Sequence, residues 1–172
     1  MVWGALSLIA LTVSFAYIAY EIGPGNRVEI DAASFRDVRF VLNWCKLGDD
    51  RIERVVHSYV SGRNITGDHF DAYAIQVSKL DVAELHADDE QEPNRWHRAE
   101  VLPPALDQAV EFALLFGEAR DLQWLPPETE IRTSEFFVYP WMILLRETQV
   151  TAVQLIFARP SDKMVFYISA KT

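Results

Sequence analysis

The four consecutive residues Arg95, Trp96, His97 and Arg98 carry the most chemical character in the sequence, because two guanidinium groups flank an indole and an imidazole ring. Arginine can hold an anion, and both arginine and tryptophan can stack on a base. We therefore take these residues as the candidate ligand-binding cluster, with a small anion, for example a nucleotide, as its ligand. The alternative is structural: Trp96 anchors the segment on the domain while the arginines pair with nearby acids.

Histidines and carboxylates come together at two places that could suggest a metal ion. Asp68, His69 and Asp71 lie near the start of a predicted helix, and His86 lies within the acidic run Asp81–Glu92. Residues at adjacent or alternate helix positions point in different directions, and acids in a first helical turn are stabilised by the macrodipole without a metal. We therefore expect no metal ion and no cofactor at either place.

Motifs for common enzyme chemistry are absent from the sequence. It contains no GxxxxGK[ST] phosphate loop, no GxGxxG and no GxSxG nucleophile turn. Cys45 is the only cysteine, which excludes an intramolecular disulfide and a multi-cysteine zinc site, and its place in an apolar pattern indicates a buried side chain. We therefore expect a non-enzymatic protein.

The charge balance bears on the expected partners. With 25 acidic against 16 basic residues the formal net charge is −9, and the basic residues are interleaved with acids. Duplex nucleic acid is not an expected partner, because its binding needs clustered cations. The run Asp81–Glu92 contains no lysine or arginine and predicts a solvated loop, which in an immunity or inhibitor protein could cover a basic toxin.

The segment Val2–Tyr20 contains no charged residue and no proline. A helix of this length would extend over about 28 Å, close to the thickness of the hydrocarbon layer of a bilayer. We therefore predict a transmembrane anchor at residues 1–22, a linker at 23–30 and one soluble domain at 31–172. The alternatives are a buried helix and a cleaved secretory signal, although a signal is disfavoured because no basic residue precedes the apolar run.

Two further expectations depend on this anchor. Basic residues follow it, beginning with Arg27, and none precedes it, so the domain is expected on the cytoplasmic side of the membrane. Ser7, Ala10 and Ser14 lie on one stripe of the helix, and small residues allow membrane helices to pack closely. The stripe therefore predicts self-association, with a lipid-facing stripe as the alternative.

The spacing of apolar residues predicts four helices in the first part of the domain. Apolar side chains recur there three or four positions apart, at 31–47, 50–62, 66–85 and 104–117. The second of these segments also suits a strand, because it contains consecutive β-branched and aromatic residues.

The composition becomes β-branched and aromatic after Pro127, which predicts strands at 135–146, 151–159 and 164–170. Pro140 lacks a backbone N–H, so the first of them is expected at an edge or at a bulge. The predicted fold class is therefore α+β: an N-terminal single transmembrane helix, then about four helices packed on a C-terminal three-stranded antiparallel meander.

The function expected from this pattern is that of a single-pass, membrane-anchored accessory or regulatory protein. Its soluble domain would dock a protein partner, or a second copy of itself, at the membrane. One alternative is a ligand-gated membrane effector that senses a small anionic signal through Arg95–Arg98. The other is the acidic immunity or inhibitor protein described above.

Overall fold

The computed structural model describes residues 12–13, 28–63, 66–86 and 94–172 of the 172-residue chain. Within residues 28–172 of that description, the strands and helices follow one another as β1 (Glu29–Ile30), α1 (Phe35–Trp44), β2 (Ile52–Val60), β3 (His69–Val77), β4 (His97–Arg98), α2 (Pro104–Glu118), α3 (Glu128–Ile131), β5 (Phe137–Arg146), β6 (Gln149–Arg159) and β7 (Met164–Lys171). Short 3-10 turns lie at Asp49–Arg51, Glu84–His86 and Pro160–Asp162.

The seven strands of the described residues form one sheet in the order β1-β2-β3-β7-β6-β5-β4. Every neighbouring pair is antiparallel. Strands β3 and β7 pair along the middle of the sheet, so the last strand of the chain joins its early hairpin to its late meander. The centre of the sheet is thus built from residues that are far apart in sequence.

Helix α1 covers one face of the sheet, called here the α1 face. The helix begins after Ser34, whose backbone N–H and hydroxyl both donate to the Asp37 carboxylate at 2.7 Å. Such a capping arrangement satisfies polar groups that the first turn leaves without intrahelical partners. Val38, Val41 and Leu42 are fully buried beneath the helix and anchor it to the sheet.

Helices α2 and α3 cover the opposite face, called here the α2 face. Pro104 lies in the first turn of α2, where its missing N–H costs no hydrogen bond. Ala109, Val110 and Ala113 of α2 are fully buried against sheet residues such as Phe157. Both faces of the central strands are therefore covered by helices.

The predicted fold class is wrong, because two of the four predicted helices are strands. A seven-stranded antiparallel sheet stands in place of the three-stranded meander within the described residues. The predicted helix at 50–62 is β2, whose register against β3 shifts between Ile52 and Arg54 and again between Val55 and His57. Each irregularity adds a residue on one strand, so the inward positions recur at a helix-like spacing.

The predicted helix at 66–85 is β3 followed by the 3-10 turn Glu84–His86. Seven of the nine residues of β3 are buried, all except His69 and Gln76. A strand covered on both faces has a continuous apolar run, which periodicity cannot distinguish from a buried helix.

Elements with a clear pattern lie close to their predicted positions. Helix α1 lies inside the predicted segment 31–47, and helix α2 extends one residue beyond the predicted segment 104–117. Strands β5, β6 and β7 overlap their predicted ranges, and the register of β5 against β6 shifts between Pro140 and Met142.

The prediction of a single-pass membrane protein with a cytoplasmic domain is corrected as well. No helix in the described part of the chain is long and apolar enough to cross a membrane. Of the predicted anchor, only Thr12 and Val13 belong to that part, so the packing stripe of Ser7, Ala10 and Ser14 lies outside it.

Candidate functional site

The candidate site lies on the α1 face, where polar side chains enter an otherwise apolar core. Among the described residues, the buried polar or charged side chains are Ser58, Asp71 and Ser169. Asp71 on β3 stands opposite Ser169 on β7, and Ser169 stands opposite Gln154 on β6. Because buried polar groups are costly without hydrogen bonds, a row of them in a core is a candidate for function.

A groove of about 350 Å³ lies over this row, between α1 and the sheet. Helix α1 contributes Phe40 and Trp44 to it, and Arg63 lies beyond the end of β2. The sheet contributes the remaining lining residues, His69, Asp71, Tyr73, Gln154, Tyr167 and Ser169. One side of the groove is therefore aromatic, and its floor is polar.

The aromatic side of the groove is tightly packed. The rings of Tyr73 and Tyr167 stack with their centroids 5.7 Å apart, and the Phe40 ring meets Tyr167 edge-on at 5.3 Å. Trp44 stacks almost parallel on Trp141 of β5, with centroids 4.8 Å apart and planes inclined by 5°. Such pairs restrict the rotamers of the rings, so this part of the groove is formed before any ligand arrives.

Asp71 is the least compensated buried group in the described residues. Its Oδ2 atom accepts a hydrogen bond of 2.7 Å from Nη2 of Arg63, whereas its Oδ1 atom is buried and has no partner there. The residue is 6% exposed. A buried carboxylate oxygen without a donor is destabilising, so this atom is suited to accept a hydrogen bond from a ligand.

The hydrogen bonds of His69 determine its tautomer. Its Nδ1 atom lies 2.9 Å from the carbonyl oxygen of Gly67, which can only accept, so Nδ1 carries the proton. In the neutral ring, Nε2 then accepts a hydrogen bond from the Ser169 hydroxyl, 2.8 Å away. The lone pairs of Ser169 Oγ are left for other donors at the groove.

The two tyrosines of the groove, Tyr73 and Tyr167, are hydrogen-bond donors at neutral pH. Burial, together with the nearby charge of Asp71, raises the pKa of Tyr73 to about 12. Burial also raises the pKa of Tyr167. Both phenols therefore keep their protons, and the groove offers donors as well as the Asp71 acceptor.

The cluster Arg95–Arg98 lies elsewhere in the structure. Trp96 is 7% exposed and packs edge-on against Tyr139 at 5.3 Å in the core of the α1 face. Arg98 lies over the ring of Phe137 at 5.7 Å and borders a separate pocket, away from the groove. Anion binding by Arg95, Trp96, His97 and Arg98 stays a prediction.

Within the described ranges, no group of three or more histidine, cysteine, aspartate or glutamate residues could hold a metal ion. On the helix predicted at 66–85, the side chains of His69 and Asp71 would have pointed in different directions. On strand β3 they lie two positions apart and face the same side of the sheet. The alternation His69, Asp71, Tyr73 is the signal in the sequence that could have located the groove.

No protein-family model, curated protein or solved structure matches this chain. Within the described residues, the fold defines a class of domain in which helices cover both faces of one seven-stranded antiparallel sheet. A fold of this kind does not specify an activity, so the groove is the feature that bears on function.

Proposed function

We propose that this protein is a binding domain for a small organic molecule that carries a protonated amine. The molecule lies in the groove on the α1 face and donates a hydrogen bond to Oδ1 of Asp71. The observation that carries the proposal is this buried carboxylate oxygen, which has no donor among the described residues. The proposal therefore concerns recognition and not catalysis.

The other walls of the groove support an organic cation. The aromatic side chains of Phe40, Trp44, Tyr73 and Tyr167 line it, and the faces of such rings attract cations. Arg63 holds only Oδ2 of Asp71, so the second oxygen provides one directional contact for the amine. Charge-assisted hydrogen bonds of this type are among the stronger ones in proteins.

Thermal-shift measurements on the full chain test this proposal. The probes are matched pairs, each a small primary amine with an aromatic or aliphatic substituent and the N-acetyl derivative of the same compound. At a hundredfold excess over its dissociation constant, a bound amine adds about 2.7 kcal/mol to the apparent stability. The acetylated partner, which has lost its charge, is expected to give a smaller shift or none.

Asp71→Asn is the informative variant, because it keeps the shape of the side chain and removes the charge. We expect it to lose the response to amines. Asp121→Asn is the matched control, because Asp121 follows α2 on the opposite side of the sheet and asparagine tolerates its positive φ of 54°. Equal amine responses in the two variants, or no response to any amine in the unmodified chain, would contradict the proposal.

A second candidate function, acyl transfer, is favoured by the hydrogen bond between Ser169 and His69. A serine whose proton is held by the Nε2 atom of an oriented histidine is an activated nucleophile. Oγ of Ser169 would bond to an acyl carbon while its proton passes to His69. His69 would then protonate the leaving alcohol or amine. In the second half of the reaction, water would attack the acyl carbon while His69 takes its proton, and His69 would return that proton to Oγ of Ser169 as the acid leaves.

A fluorophosphonate probe distinguishes this candidate from simple binding. Acyl transfer predicts that the probe labels the unmodified chain at Ser169 and does not label Ser169→Ala. His69→Ala would slow the labelling, and Ser161→Ala, at an exposed position, would not change it. Without labelling of Ser169, the acyl-transfer candidate is rejected and the binding proposal is unaffected.

A further inference from the structure

The groove places a positive charge beside the carboxylate that would hold the amine. Nη2 of Arg63 lies 2.7 Å from Oδ2 of Asp71, and both residues line the groove. An amine bound at Oδ1 of the same carboxylate would therefore lie close to the guanidinium group. Because like charges repel, a ligand whose only charge is an amine leaves this repulsion without compensation.

Arg63 has donors left for an anionic group of the ligand. A guanidinium group carries five N–H donors, and in the described part of the chain the hydrogen bond of Arg63 goes from Nη2 to Asp71. The side chain is 53% exposed, so the donors on Nη1 and Nε can be reached from the solvent. Carboxylates fit the planar fork of a guanidinium group.

We infer that the ligand of the groove is a free α-amino acid, an inference that rests on the proposed function. Its ammonium group donates to Oδ1 of Asp71, and its carboxylate accepts from Arg63. In an α-amino acid a single carbon atom joins the two charged groups, which suits two protein charges that are themselves in hydrogen-bond contact. The four charges then alternate in sign, and no net charge enters the groove.

The lining of the groove also indicates the class of amino acid. Strands β7 and β6 lie on the side of Asp71 away from β2, and they contribute Tyr167 and Gln154. Helix α1 adds the rings of Phe40 and Trp44. A ligand side chain that extends in this direction meets aromatic rings, so an aromatic amino acid is expected. The volume of about 350 Å³ lies within the range of small-molecule pockets, roughly 300–1,000 Å³.

The overall charge of the chain cannot produce a preference for an amino acid. A net charge of −9 attracts cations, so long-range electrostatics favours a plain amine over a zwitterion. Tighter binding of the zwitterion would therefore come from a local contact of its carboxylate, and Arg63 is the basic residue that lines the groove with Asp71.

Isothermal titration calorimetry of the full chain at neutral pH tests this inference with three related probes. L-Phenylalanine carries both charged groups, phenethylamine lacks the carboxylate, and 3-phenylpropanoate lacks the amine. We expect the dissociation constant of L-phenylalanine to be about fivefold lower than that of phenethylamine, as for a half-exposed ion pair. 3-Phenylpropanoate should bind most weakly, because it leaves Oδ1 of Asp71 without a donor.

Arg63→Gln removes the guanidinium group and should abolish the preference for L-phenylalanine over phenethylamine. Binding of phenethylamine to this variant also shows that the variant is folded. Arg39→Gln is the matched control, because it changes the net charge equally at a residue that is 54% exposed, pairs with Asp49 and does not line the groove. This control should keep the preference.

The outcomes separate this inference from the proposed function. If phenethylamine binds the unmodified chain as tightly as L-phenylalanine, the inference is overturned and the proposed function stands, and this comparison needs no variant. A preference that survives Arg63→Gln, or that Arg39→Gln abolishes equally, also overturns the inference alone. If 3-phenylpropanoate binds as tightly as L-phenylalanine, or if neither amine binds, the proposed function fails as well.

Discussion

The Nε2 atom of His69 lies 2.8 Å from Oγ of Ser169, although 100 positions separate the two residues in the chain. The contact exists because β3 and β7 pair antiparallel in the centre of the sheet, where Asp71 stands opposite Ser169. Neither residue reaches its partner until both halves of the chain have folded. The hydrogen bond is therefore a local probe of the central pairing as well as a part of the groove.

The tautomer of His69 is the first prediction. Nitrogen-15 NMR of the neutral ring should show Nδ1 protonated and Nε2 unprotonated, because Nδ1 faces the Gly67 carbonyl. In Ser169→Ala the Nε2 resonance should move, since it loses its donor. A ring protonated on Nε2 would show that Ser169 accepts and does not donate.

The stability of the fold should decrease at alkaline pH because of Tyr73. Its pKa is raised from the ordinary tyrosine value of 10.0 to about 12 in the folded chain, mainly by burial. The folded state therefore holds the proton more tightly than the unfolded state, and the resulting stability is present below pH 10.0 and lost as the pH rises towards about 12. Tyr73→Phe should flatten this part of the pH profile, measured by chemical denaturation.

Arg63→Ala should destabilise the fold more than a comparable change elsewhere. It removes the donor to Oδ2 of Asp71, a side chain that is 8% exposed, and we expect a loss of about 1–3 kcal/mol. Arg39→Ala is the control, because Arg39 is as exposed as Arg63, at 54% against 53%, but its partner Asp49 is 26% exposed. The loss of stability in Arg39→Ala should stay below about 1 kcal/mol. Equal losses in the two variants would mean that the burial of Asp71 does not increase the contribution of its ion pair.

Ser34→Ala tests how much the cap of α1 contributes to the stability of the fold, measured by chemical denaturation at several pH values. We expect a loss of about 1 kcal/mol, because the first turn loses its capping side chain. The hydrogen bonds from Ser34 also lower the pKa of Asp37 in the folded chain. Their contribution to stability is therefore present at pH values above the ordinary carboxyl pKa, and it is lost as the pH falls through the lowered pKa. The variant should accordingly lose less stability on acidification than the unmodified chain; a parallel acid profile would argue against this cap.

The sequence pattern was sufficient where composition and turns agree with one type of element. Helix α2 has a clear apolar stripe after a proline, and β5 to β7 are rich in β-branched and aromatic residues and are separated by turns. It was insufficient for β2, where irregular register imitates the spacing of a helix, and for β3, which is buried on both faces. The groove was missed for the same reason. Asp71 lies on the same face as His69 only if β3 is a strand, and it stands opposite Ser169 only if β3 pairs with β7.

The stack of Trp44 on Trp141 has an experimental consequence. Trp44 lines the groove, and Trp141 is an exposed residue of β5. Two indoles in parallel contact are coupled chromophores, so their circular dichroism and emission depend on their mutual geometry. A molecule that enters the groove would perturb this optical signal. The protein thus carries an intrinsic, label-free reporter of binding in the groove.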